Sequence, residues 1–266
     1  MPLIFCLKKN PLTDFGALLE TNDWQPRVVP QGILLDIEGT TSSIEFVYSV
    51  MFPFARQGMR ACVEGVVSDD DLQASMRQVS MDAGHGEDFQ AWLGSMDGDA
   101  FVNRATEHLL GLMDGDSKST GLKSLQGHTW KSGFESGQLK SHLYDDVYPA
   151  LLRWSRREID IRIYSSGSVV AQKLFFGHTP LGDLRSFFKG FYDTTIGGKR
   201  DAISYQKISQ EFAVDPKSII FLSDNASEIV AATEAGMTAI AVVRPGNVPL
   251  PENFVAPRVH SFANLW

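Results

Sequence analysis

The sequence predicts an α/β protein: a doubly wound, Rossmann-like parallel sheet interrupted after its first strand by an inserted helical cap. Three observations carry this expectation. Short apolar runs alternate with amphipathic, helix-length stretches from residue 143 to the C-terminus. The first such run, Gly32-Ile33-Leu34-Leu35-Asp36, ends in an acid, and between residues 46 and 142 strand-like runs disappear. Strands separated by helices need crossover connections, which are right-handed and build an open parallel sheet.

Residues 1–30 read as an extension, because Pro2, Pro11, Pro26 and Pro30 break any long element. Gly32 to Asp36 reads as a buried strand, apolar on both faces. The segment 46–142 reads as the cap. Its amphipathic stretches Asp70–Val79 and Asp99–Met113 are punctuated by Gly84-His85-Gly86 and Asp97-Gly98. Within it, 114–142 is rich in Gly, Ser and Lys and reads as a solvated connector, although Leu122, Leu125, Trp130 and Phe134 suggest packing. The catalytic core is assigned to 31–45 and 143–266. There, helices are expected at 146–157, Ser168–Phe176, Asp201–Phe212 and Asn225–Ala235, the last closed by Gly236. Strands are expected at Ile159–Tyr164, Ile219–Leu222 and Met237–Val243, the last stopped by Arg244-Pro245-Gly246.

A formal net charge of -8 argues against gripping nucleic acid or an anionic membrane through bulk electrostatics. A small anionic substrate stays possible, since a bound cation reverses the sign locally. The two cysteines, Cys6 and Cys62, have no metal-type spacing and read as small apolar fillers in a reducing cytoplasm. The opening MPLIFCLKKN carries its lysines after the apolar run, the reverse of a signal peptide. No apolar stretch approaches the roughly 18 residues that span a bilayer. A soluble, cytoplasmic monomer is the expectation.

In open parallel sheets, ligands bind beyond the carboxyl ends of the strands. Those positions hold Asp36-Ile37-Glu38-Gly39-Thr40-Thr41, Ser165-Ser166-Gly167-Ser168 and Ser223-Asp224-Asn225, with Lys199 in Gly197-Gly198-Lys199. This set suits phosphoryl transfer. Asp36 is the candidate nucleophile, forming an aspartyl-phosphate. Mg²⁺ between Asp36 and Asp224 would screen the repulsion between carboxylate and phosphate. Lys199 would add counter-charge and Ser165 would hydrogen-bond a phosphate oxygen. The turn at Ser166-Gly167-Ser168 opens a helix whose N–H groups favour phosphate. Glu38 would protonate the leaving oxygen and later help activate water.

These motifs resemble the haloacid dehalogenase superfamily, and Asp36-Ile37-Glu38-Gly39-Thr40-Thr41 resembles its enolase-phosphatase branch, of the methionine salvage pathway. The likeness extends to Leu122–Gly127 with Trp130, to Ser165–His178 and to Val242–Asn247, covering the chain from residue 31 onward. It departs from most of the superfamily in having Glu38 where Asp is commoner. The resemblance implies a core of the haloacid dehalogenase type with a helical cap that closes over the site. It also implies an Mg²⁺-dependent enzyme that enolises 2,3-diketo-5-methylthiopentyl-1-phosphate and then dephosphorylates it to the acireductone. It assigns one Mg²⁺ to Asp36, Glu38 (through its backbone carbonyl) and Asp224, and the substrate phosphate to Ser165, Ser166 and Lys199. The base for enolisation stays open between Glu38 and cap residues.

Blander readings stand beside these. Asp224 also suits an N-cap of the helix that follows; Glu228, one turn along, could hydrogen-bond near the metal but reads first as a solvated helix position. Lys118 and Lys123 could reach into the active-site mouth but read first as solvated charges, and His85, His108 and His142 read as surface or packing residues. His178 carries no expected chemistry. Gly197-Gly198-Lys199 lacks the full phosphate-loop spacing and is not a nucleotide loop.

Overall fold

The computed structural model describes residues 29–266, so the 1–30 extension, with Cys6, lies almost wholly outside the described residues. The described residues fall into two compact units. The first comprises the described residues up to Ser43 with Leu143–Ser166 and Phe187–Trp266; the second comprises Ile44–His142 and Gly167–Ser186.

The first unit is a six-stranded, wholly parallel sheet. Its strands are β1 Gly32–Leu35, β2 Asp160–Tyr164, β3 Gly190–Tyr192, β4 Ile219–Ser223, β5 Thr238–Val242 and β6 Arg258–Val259. They lie in the order β3-β2-β1-β4-β5-β6. The chain therefore builds outward from β1 through β2 and β3, then crosses back to β4 on the other side. That reversal opens a crevice at the carboxyl ends of β1 and β4, where open sheets bind ligands. Register fixes the levels: Leu35 pairs with Ile163 on one side and with Leu222 on the other. Asp36, one residue on, continues the ladder by donating its N–H to Leu222 O at 3.0 Å.

Alternation along the strands buries both faces of the sheet. Leu34, Tyr164, Phe221, Ala239 and Ala241 share a core with Tyr205, Ile208 and Phe212. These last three lie on the helix Ala202–Phe212, and Ile229 and Ala232 join them from Ala226–Glu234. Ile33, Leu35, Ile161 and Ile163 are also fully buried. The edge strands β3 and β6, three and two residues long, have no apolar run to announce them, and the sequence predicts neither. Short edges of this kind limit pairing with other chains.

The second unit is helical. Ile44–Phe46 runs through a π-helical stretch, Val47–Met51, into Phe52–Glu64. Asp70–Asp82, Phe89–Leu93, Asp99–Asp114 and Thr120–Glu135 follow, and Val169–Gly177 belongs here by contacts. Met59, Met76, Phe101, Leu122 and Leu125 meet in its core. Much of the segment read as a solvated connector is thus the sixteen-residue helix Thr120–Glu135. Two of its three glycines are packing positions: a Cβ on Gly121 would collide with the Val79 backbone, and one on Gly133 with the Phe54 ring, whereas one on Gly127 would meet nothing. Composition misled because small residues serve close helix approach as readily as they serve loops.

His85, His108, His142 and His178 of this unit pack on aromatic rings. His85 stacks on Trp92 at 4.3 Å, His108 meets Trp92 edge-on at 4.7 Å, and His178 stacks on Phe134 at 5.4 Å. Burial pushes the Cys62 thiol up to about 11, which makes it unreactive. Lys118 forms an exposed ion pair with Asp116.

Gly121→Ala should destabilise the protein by about 1–3 kcal/mol through overpacking. Alanine's higher helix propensity alone would stabilise by about 1 kcal/mol. Urea unfolding with the substituted chain decides the sign; an unchanged or raised midpoint would show that the helices are not in close contact there.

Candidate active site

Three strand ends and one loop build the site within the sheet unit. Asp36 leaves β1 buried, and its Oδ1 accepts from the Lys199 ammonium at 2.7 Å and from the Ile37 N–H at 2.8 Å. Lys199 also meets Glu228 Oε2 at 2.7 Å. Ser223, fully buried at the end of β4, donates to Glu228 Oε2 at 2.9 Å and lies 3.2 Å from Asp36 Oδ2. One hydroxyl proton serves both oxygens in turn, so Asp36 Oδ2 is the less firmly held of the two.

The backbone after Asp36 folds into a tight turn in which Thr40, Thr41 and Ser42 all donate N–H to Ile37 O, at 3.2, 3.0 and 2.9 Å. Gly39 sits in the turn at φ +69°. A side chain there would be strained and would overlap Asp224 Oδ2, so this glycine is what lets the two loops approach. Glu38 is half-buried, with its backbone bridged to Ser42.

Side-chain hydroxyls hold the loop that carries Lys199 at three successive carbonyls. Tyr164 donates to Gly197 O at 2.9 Å, Ser204 to Gly198 O at 2.8 Å and Tyr205 to Lys199 O at 2.7 Å. Lys199 thereby reaches the acids from a rigid base. Burial would depress its ammonium, but the charges of Asp36 and then Glu228 outweigh burial and hold its pKa above the ordinary value.

Direct contacts therefore join Asp36 and Lys199, and Asp224 lies against the Gly39 turn. Ser165 is buried at the end of β2, on the same sheet edge, where its N–H donates to Tyr192 O at 3.1 Å. Ser166, the next residue, is exposed.

Two expectations are corrected. Glu228 is not a solvated helix position: it is 7% exposed and ion-paired to Lys199, because the first turn of its helix faces the strand ends. Asp224 is not the N-cap; the Asn225 side chain accepts from Ser227 N–H at 3.0 Å, leaving the Asp224 carboxylate for the site. In the sequence, Ser223 and Asn247 stand only as parts of longer motifs. The available signal for Ser223 was its place one residue before Asp224; for Asn247 it was a turn sequence following a strand.

Three carboxylates, those of Asp36, Asp224 and Glu228, share this region with one buried ammonium. Burial, then the charges of Asp36 and Glu228, push Asp224 up to about 7. Glu228 is raised by burial and by Asp36, against the pull of Lys199. The surplus of negative charge and the all-oxygen donor set fit a hard divalent cation. Among the described residues no three His, Cys, Asp or Glu side chains form a ready cage. A cation held by Asp36, Asp224 and the Glu38 carbonyl would fill its shell with water and substrate oxygens, as Mg²⁺ commonly does.

The model of the haloacid dehalogenase-like hydrolases matches residues 30–236. Enolase-phosphatase E1 of Persephonella marina is 40% identical over 88% of this chain and 98% of its own length. The chain belongs to the enolase-phosphatase family of haloacid dehalogenase-like hydrolases. A rice (Oryza sativa subsp. indica) relative, a probable bifunctional methylthioribulose-1-phosphate dehydratase/enolase-phosphatase E1, is 42% identical over 88% of this chain. The chain spans only 46% of that longer protein. Among solved structures, the UTR4 protein of Saccharomyces cerevisiae superposes with a TM-score of 0.72 at 31% identity, covering 89% of this chain and all of that one. Phosphatases of the family generally use Mg²⁺. Among the described residues no helix is long and apolar enough to cross a membrane.

In chelator, Asp224→Asn should stabilise the protein at pH 8 but not at pH 4. In the folded chain the Asp224 carboxyl keeps its proton up to about pH 7, whereas the unfolded chain releases it near 3.8. Stability is therefore lost as pH rises between these values, and the loss is complete above pH 7. The expected gain is on the order of 1–3 kcal/mol, below the full shift because Asp224 is partly solvated. Thermal melts at the two pH values test it, and a lower melting temperature for the variant at pH 8 would overturn the charge-crowding account.

Proposed function

We propose that this enolase-phosphatase takes 2,3-diketo-5-methylthiopentyl-1-phosphate, enolises it and removes its phosphate to give the acireductone of methionine salvage. The family membership supports the reaction class. The observation that carries the residue roles is the buried pair of Asp36 and Lys199 at the carboxyl end of the central strand.

In the enolisation a proton leaves C1 and the C2 carbonyl oxygen gains one. Glu38, half-buried on the turn after Asp36, is the candidate in this unit to handle a proton. In the hydrolysis, Asp36 Oδ2 forms a bond to phosphorus while the bond from phosphorus to the C1 oxygen breaks. That oxygen leaves with a proton from Glu38. Water then attacks the aspartyl-phosphate and passes its proton back to Glu38, so that the bond from phosphorus to Asp36 Oδ2 breaks, phosphate is released and both acids are restored. Lys199 holds Asp36 Oδ1 and turns its charge toward the phosphate, while Ser165 and Ser166 supply hydrogen bonds to phosphate oxygens. Asp36, the Glu38 carbonyl and Asp224 would hold Mg²⁺, which would supply counter-charge for the phosphate dianion.

Mixing the protein with a 2,3-diketo-1-phosphate, with and without Mg²⁺, should give enol absorbance followed by free phosphate only in the presence of Mg²⁺. Phosphate release from simple phosphoesters without action on the diketone would keep the hydrolase and discard the substrate. Asp36→Asn should abolish phosphate release, a loss of at least about 10³-fold, with an unchanged circular dichroism spectrum. Retained turnover would remove Asp36 as nucleophile.

A further inference from the structure

The turn that ends β5 grips the loop after Asp36 at two successive carbonyls. Arg244-Pro245-Gly246-Asn247 closes with the Asn247 N–H on Arg244 O at 3.2 Å, with Gly246 at φ +84°. Proline second and a positive-φ glycine third is the sequence of a type II turn. One end sends Arg244 Nε to Thr40 O at 3.2 Å; the other sends Asn247 Nδ2 to Gly39 O at 2.9 Å and Val242 O at 3.3 Å.

This arrangement fixes which way the Asn247 amide faces. Reversed, its oxygen would point at two carbonyl oxygens, so Nδ2 belongs where it is. Asn247 Oδ1 is then buried and has no hydrogen-bond partner. It looks onto the space above Gly39, where a methyl group would stand 3.0 Å from Asn247 Oδ1 and overlap Asp224 Oδ2. Two acceptor oxygens facing one small space repel each other unless a proton donor or a cation joins them.

We propose that Asn247 is a positioning residue of the cation site. Its Oδ1 accepts a hydrogen bond from a water in the cation's shell beside Asp224, while its Nδ2 fixes the Glu38-Gly39 turn. This rests on the Mg²⁺ reading above. It also gives the Arg-Pro-Gly-Asn stretch a role: the turn aims one amide so that its two ends serve different halves of the site.

Isothermal titration of Mg²⁺ into the full chain tests this, alongside melting temperatures measured in chelator and in Mg²⁺. Asn247→Ala should weaken Mg²⁺ binding by about 10–100-fold, the usual cost of removing an outer-shell partner, and should shrink the Mg²⁺-induced rise in melting temperature. Asn247→Asp keeps an acceptor oxygen but loses the donor to Gly39 O. It should melt lower than wild type in chelator yet bind Mg²⁺ with near wild-type affinity or better. Should Asn247→Ala fail to fold, Asn247→Ser serves the same comparison, with the same expected loss. Wild-type affinity in the alanine or serine variant would overturn the proposal, as would an equal loss in the aspartate variant, which would leave Asn247 a clamp only. If wild type itself takes up no Mg²⁺, the cation reading of the site fails; if wild type binds and the variants bind equally, only the role of Asn247 fails.

Discussion

Crowded negative charge at the carboxyl ends of β1 and β4 is the constraint on which the rest of the site depends. Asp36, Asp224 and Glu228 are brought near one another in partly buried surroundings, with Lys199 the ammonium that meets Asp36 and Glu228 directly. Burial and the charge of Asp36 raise the proton affinity of Asp224 and Glu228. The same crowding suits the site to a hard divalent cation. Structure and chemistry are set by one electrostatic imbalance.

The surrounding fold reads as the apparatus that sustains this imbalance. The strand order reverses at β1 and β4, so the ends of two neighbouring strands deliver acids to one crevice. Hydroxyls of Tyr164, Ser204 and Tyr205 fix the Lys199 loop, while Arg244 and Asn247 fix the loop after Asp36. Each anchor ends on a backbone carbonyl, which leaves the charged side chains to one another. Side chains held by such an outer layer lose little entropy on meeting substrate, the condition for preorganised electrostatic catalysis.

Much of this is legible in the sequence. Asp36, Lys199 and Asp224 stood out because each is a charged residue placed where a strand ends or a helix begins, and in parallel sheets those positions converge. What was not legible follows a common pattern. Glu228 looks solvated because helical periodicity says which residues share a face but not what that face meets. Thr120–Glu135 looks like a connector because Gly and Ser mark both loops and close helix contacts. The strands β3 and β6 are too short to carry a pattern of their own.

The sequence by itself determined the alternation of strands and helices, the central strand and the identity of its terminal acid, since these depend on local periodicity and on residue chemistry. Only the tertiary structure decided the pairings. Lys199 meets Asp36 across 163 positions, Ser223 meets it across 187, and Asn247 reaches Gly39 across 208. Contacts at that separation leave no periodic trace in the chain, because they are set by strand order and by where each loop lands. The proton affinities of Asp224 and Glu228 belong to the same class: a carboxylate's neighbours, not its place in the sequence, set its charge.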